Sequence, residues 1–64
     1  MGNKIKAYRL KKKLTQTELS ELSGVSRTTI SGLESGRIVN TTAETLRKIA
    51  RALGGTIGDI FFAA

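Results

Sequence analysis

The sequence predicts an all-α fold: a compact bundle of five short helices. Three observations carry that expectation. Proline is absent and strand patterning is weak, while apolar residues recur at spacings of three and four. Three Thr-x-x-acid pairs, Thr15 with Glu18, Thr41 with Glu44 and Thr56 with Asp59, each open an apolar period in the manner of a capping box. Glycines then stand where those periods end, at Gly24, Gly36 and Gly54-Gly55.

Asn3 can cap a first helix over about 4–13, whose inward residues Ile5 and Tyr8 sit three apart. Thr15 opens a second helix, 16–23, with Leu19 and Leu22 on its inner face. Gly24 takes the turn, since a residue without Cβ enters the left-handed region at no steric cost. Ser26 caps a third helix, 27–34, with Ile30 and Leu33 inward, and Ser35-Gly36 ends it. Thr41 with Glu44 opens a fourth helix, 42–53, with Leu46, Ile49, Ala50 and Leu53 inward. Thr56 with Asp59 caps the last helix, 57–62. Agreement between caps and apolar periods is what a foldable sequence shows.

The 64 residues suit one small domain, 1–64, with no internal repeat and no linker. Cysteine and histidine are both absent, which removes disulfides, thiolate metal sites and the commonest general base. The five carboxylates are scattered and mostly occupied as caps, so no constellation suits acid–base or metal chemistry. The chain therefore reads as a non-enzyme with no cofactor, no metal and no evident small-molecule site. No apolar run approaches the ~20 residues that cross a bilayer, and no secretory pattern is present. A reducing cytoplasm is the expected location. Eleven Lys and Arg against five Asp and Glu leave a net charge of +6. Lys4, Lys6, Arg9, Lys11, Lys12 and Lys13 all precede the first acid, Glu18. That charge fits a polyanionic partner, or a basic helix that is simply solvated.

Residues 16–35, QTELSELSGVSRTTISGLES, combine these signals as two short helices around a tight turn. Such a pair crosses closely only if the crossing residues are small, and Ser20 and Ser23 are. Val25 can plug the gap between the helices, and Ile30 and Leu33 anchor the third helix from behind. Arg27, Thr28, Ser31 and Gly32 remain for its outer face, which carries no long acidic side chain before Glu34. This arrangement is the helix-turn-helix, which places one helix in the major groove of double-stranded DNA. Near the start of that helix Arg27 could bond guanine O6 and N7 together, or simply contact phosphate.

The segment LTQTELSELSGVSRTTISGLESGR resembles the Cro/phage-repressor (Xre-type) helix-turn-helix of bacterial and phage transcription regulators. TAETLRKIARALGGTIGDIF is similar to that family's fourth and fifth helices, so the resemblance spans nearly the whole chain. It implies a lambda-repressor-like domain that is usually dimeric, binds a palindromic operator, and usually represses transcription. Gln16 then matches a glutamine that bonds a DNA phosphate at the start of the second helix, with Thr15 as a cap, a phosphate contact, or both. Ser26, Arg27, Thr28 and Ser31 match base-reading and phosphate-positioning residues, and Thr29 could offer a hydroxyl or a methyl. Arg37, and more weakly Asn40, sit where the family's next loop grips phosphate. Arg9 and Glu34 match a structural ion pair between the first and third helices. Two positions depart from the pattern. Gly32 replaces a long polar residue, so that a base step goes unread or the backbone approaches closely. Lys13 stands where glycine is frequent, which demands a strained φ or a different turn.

Ile57, Ile60, Phe61 and Phe62 crowd six residues, more than one short helix can bury against its own domain. They are expected to form a homodimer interface, the alternative being a loose apolar tail. A dimer would set two reading helices one DNA turn apart, ~34–36 Å. A second class of function stays open, an antitoxin-like DNA-binding module whose main partner is a protein toxin. Either would work in the cytoplasm, on the nucleoid of a bacterium or of a cell carrying the phage.

Overall fold

The computed structural model describes residues 3–61. Five α-helices follow one another: α1 (Ile5–Lys11), α2 (Gln16–Ser23), α3 (Arg27–Ser35), α4 (Ala43–Ala52) and α5 (Ile57–Phe61). No strand occurs among the described residues. α2 lies against α3 and α4, α4 carries α5, and α1 closes the bundle against α3 and α5.

The helix ends show why the chain breaks where it does. Thr15 accepts the Glu18 N–H at 3.0 Å while the Glu18 carboxylate accepts the Thr15 N–H at 2.8 Å, so two otherwise orphaned donors are satisfied reciprocally. Thr56 and Asp59 repeat the device at α5. At α3 the Ser26 hydroxyl accepts the Thr29 N–H and donates to the Thr29 hydroxyl. Lys4, not Asn3, holds the N-cap position of α1; Asn3, one residue earlier, accepts the Ile5 N–H and donates to the Leu33 carbonyl, so it links the start of α1 to the last turn of α3. The Lys4 N–H reaches the Ile60 carbonyl at 2.7 Å, tying the start of α1 to α5.

α4 corrects one expected cap. Thr42, not Thr41, opens it, accepting the Thr45 N–H at 3.1 Å with the two hydroxyls 3.0 Å apart. A hydroxyl pair replaces the expected hydroxyl–carboxylate box, and Glu44 instead lies 3.8 Å from Lys48 one turn on.

α1 is shorter than the 4–13 expected, and Lys13 shows why. It takes φ 57, in the left-handed region. The Lys13 N–H then bonds the Leu10 carbonyl and the Leu14 N–H the Arg9 carbonyl, a Schellman closure with lysine in the glycine position. A side chain there costs ~1 kcal/mol or more relative to glycine.

Ile5, Leu19, Ile30, Ile49, Leu53 and Ile60 are fully buried, with Val25, Leu33 and Ala50 completing the core. Tyr8, Leu14, Ile38, Ala52, Ile57 and Phe61 pack around it. Leu22 is the exception. Expected inside, it is 62% exposed. The buried side of α2 runs through Leu19 and Ser23, four apart, and Leu22 falls off that stripe. Burying a leucine contributes roughly 1.5–3 kcal/mol, a large share of the stability of so small a domain. Leu19→Ala is accordingly expected to lower the unfolding free energy by about 2–5 kcal/mol, and Leu22→Ala by no more than about 0.5 kcal/mol. Urea unfolding of the two variants checks this; comparable losses would contradict the placement of α2.

Candidate nucleic-acid interface

The surface of α3 divides cleanly. Ile30, Gly32 and Leu33 face inward. Arg27, Thr28 and Ser35 are exposed and Ser31 is half-buried. At about 100° per residue these four fall in an arc of about 100° along the outer side of α3. Arg27 is the first residue of the helix and Thr28 the second, so both stand at its positive end. Ser35 extends the stripe, four residues beyond Ser31. The i, i+4 spacing of Ser31 and Ser35 is present in the sequence, where Ser35 reads as part of the helix end. Its hydroxyl donates to the Gly32 carbonyl and accepts the Arg37 N–H.

Ser26 and Thr29 answer to local structure first. Their hydroxyls bond each other at 2.9 Å as the cap of α3, and Thr29 is half-buried. Ser26 remains exposed at the rim of the stripe. Thr15 is exposed at the start of α2, and Gln16 beside it is half-buried.

Gly32 is not on the outer face where it was expected. It lies beneath Ile38 of the following loop. A Cβ built on Gly32 would overlap Ile38 Cδ1 and stand 2.6 Å from its Cγ1. The Ile38 N–H also bonds the Gly32 carbonyl at 3.0 Å. Glycine is therefore present for close approach of the loop, and the seat of Ile38 fixes where the exposed Arg37 and Asn40 emerge. Gly32→Ala should displace Ile38 and loosen this loop, accelerating amide hydrogen exchange over residues 36–42 while the protection of α2 is kept. Unchanged exchange there would show that the loop does not rest on Gly32.

Behind the stripe lies one buried ionic cluster. Arg9 Nε donates to Glu34 Oε2 at 2.7 Å and Nη2 to Oε1 at 3.0 Å, a bidentate pair whose side chains are 9% and 6% exposed. Arg9 Nη1 donates to the Leu14 carbonyl at 2.8 Å, and Gln16 Nε2 to Glu34 Oε1 at 3.2 Å. Burial pushes the Glu34 carboxyl up. The hydrogen bonds from Arg9 and Gln16, with the charges of Arg9 and Lys6, outweigh it and hold the group below the usual carboxylate range. The hydrogen bond to Glu34 also raises Arg9, against the opposing effect of its own burial. A depressed folded-state pKa stabilises the protein above the unfolded carboxyl's value, and that stabilisation fades as pH falls through the folded one. The urea midpoint should thus decline on acidification below the ordinary carboxylate range, and Glu34→Gln should flatten that decline. An identical acid profile in the variant would remove Glu34 from the acid sensitivity.

The residues expected at the C-terminal end separate. Ile60 is 1% exposed, a member of the core cluster of its own domain, and is not available to a partner. Ile57 and Phe61 are half-buried at the core's edge. Phe62 lies outside the described residues. Among the described residues, no cluster of three metal-ligating side chains occurs and no helix is long and apolar enough to cross a membrane.

Comparison with known proteins agrees with this geometry. A helix-turn-helix family model matches residues 5–60. An uncharacterised HTH-type transcriptional regulator of Methanocaldococcus jannaschii is 43% identical over 61 residues, covering 95% of this chain and 91% of that protein. The immunity repressor protein of Bacillus phage phi105 is 41% identical over 60 residues, 94% of this chain and 41% of the repressor. A putative antitoxin, HigA2 of Mycobacterium tuberculosis, is 32% identical over 62 residues, 89% of this chain and 61% of the antitoxin.

Proposed function

The chain belongs to the helix-turn-helix family of DNA-binding transcriptional regulators, a family of binding proteins rather than enzymes, and we propose that it is a sequence-specific repressor acting as a homodimer on a palindromic operator. The observation that carries this is the outer stripe of α3: Arg27 and Thr28 exposed and Ser31 half-buried, on a helix whose other side is locked by Ile30 and Leu33. In the major groove Arg27 would read guanine and Thr28 and Ser31 the adjoining base edges. Ser26 and Thr29, already paired as the cap, would do no more than brace the helix or touch backbone. Thr15, Gln16, Arg37 and Asn40 would grip phosphates on either side and set register without reading sequence. A net charge of +6 favours that polyanion and makes binding weaken with salt.

The homodimer would form through Ile57, Phe61 and Phe62, with Ile60 serving the core instead. The protein would work in the cytoplasm, on the nucleoid. Resemblance to a putative antitoxin supports a second reading, in which the domain also binds a protein toxin.

Selection of duplex DNA from a random pool at about physiological salt tests the proposal. An inverted repeat with half-sites about one turn apart is expected. Arg27→Ala should relax preference at one or two positions, each worth ~1–3 kcal/mol, whereas Gln16→Ala should weaken all sites alike. Bulk binding with no enriched sequence would set aside the operator reading and leave the protein-partner reading.

A further inference from the structure

The Glu34 carboxylate serves two helices other than its own. Oε2 takes Arg9 Nε, and Oε1 takes both Arg9 Nη2 and Gln16 Nε2. Gln16 is the first residue of α2, next to exposed Thr15, and its side chain makes no other hydrogen bond among the described residues. One N–H is held by Glu34, while the second N–H and the amide oxygen of this half-buried side chain have no hydrogen-bond partner among the described residues. Glutamine has several rotatable bonds, and fixing it only when DNA arrives would draw on the binding energy. Here the fold fixes it beforehand. The negative charge that does so would repel a nearby phosphate, but the bidentate arginine neutralises it.

Resting on the reading of Gln16 as a phosphate contact, we propose that Glu34 is a positioning residue for DNA binding: it holds the Gln16 amide in the orientation that receives a phosphate of the duplex. The ion pair is thus more than a brace between α1 and α3. Glu34→Gln separates the two roles. Its side chain has a single carbonyl oxygen, for which the paired donors of Arg9 compete, and its NH2 meets the Gln16 donor with another donor. The substitution also removes a negative charge from a basic protein, which by itself strengthens DNA binding. A loss of affinity would therefore run against the electrostatic trend.

Two measurements decide the matter. In the unaltered protein, the order parameter of the Gln16 side-chain NH2 should approach that of rigid backbone, about 0.85; a value below about 0.6 overturns the proposal with no variant needed. Affinity for a mixed-sequence duplex at low salt is then compared among Gln16→Ala, Glu34→Gln and the double variant, each shown to be folded. Each single change should weaken binding roughly fivefold, and the double change no more than the stronger single one, because the two residues act as one unit. Losses that multiply overturn the role of Glu34 alone. No loss in Gln16→Ala overturns the phosphate contact itself, and the positioning role with it. If Glu34→Gln does not fold, the order parameter stands as the test.

Discussion

One carboxylate joins three helices. Glu34, at the end of α3, accepts from Arg9 on α1 and Gln16 at the start of α2, and the same arginine reaches the Leu14 carbonyl in the turn between α1 and α2. Removing two charges from water is costly, and a buried ion pair is weak evidence for net stability. Its effect is geometric. An apolar core of isoleucines and leucines tolerates small slides of one helix on another, because dispersion contacts carry little direction. A bidentate guanidinium–carboxylate pair does not. It fixes the rotation of α3 relative to α1 and α2, and with it the direction in which Arg27 and Thr28 point.

Local concessions follow from that constraint. The Arg9 side chain reaches Leu14 only if the chain reverses sharply after α1, and Lys13 makes the reversal at φ 57 despite its side chain. Gly32 is a second concession. Glycine inside a helix forfeits roughly 0.5–1 kcal/mol against alanine, yet it lets Ile38 sit on the backbone of α3. Both residues give up local propensity for the placement of something else: Lys13 for the ionic cluster, Gly32 for the loop that carries Arg37 and Asn40.

The same distinction explains what the sequence did and did not disclose. Features set by a few neighbouring residues were legible, including the Thr15–Glu18 and Thr56–Asp59 boxes, the Ser26 cap and the left-handed turn at Gly24. So was part of the outward stripe of α3, Arg27, Thr28 and Ser31, since Ile30 and Leu33 mark the opposite side, whereas Gly32 was wrongly included and Ser35 left out. Features set by tertiary contact were not. Leu19 and Leu22 satisfy a helical period equally well, and only the crossing of α2 with α3 and α4 selects the side shared by Leu19 and Ser23. Thr41 and Thr42 carry the same hydroxyl, and the choice between them depends on Thr45. Gly32 resembled a gap in a reading surface because nothing local shows that a loop folds back over it. The bond from Gln16 to Glu34 spans eighteen residues and leaves no pattern in the sequence at all.

α5 illustrates how far a crowded apolar run constrains assembly. Counting four large side chains in six residues suggested a surplus for a partner, but the count does not say which are surplus. The fold assigns Ile60 to its own core and ties its carbonyl to the Lys4 N–H, anchoring α5 to α1. Ile57 and Phe61 are four apart and share one side of that short helix, at the rim of the core. In the homodimer proposed above, the contact surface would therefore rest on a helix whose orientation is already set from within. The spacing of the two reading stripes would then depend on rigid packing rather than on a flexible tail. It follows that Ile60 cannot be used to probe assembly, since its loss would unseat α5 and the core together. Among the described residues of α5, changes at the half-buried Ile57 or Phe61 are the ones that can separate association from folding.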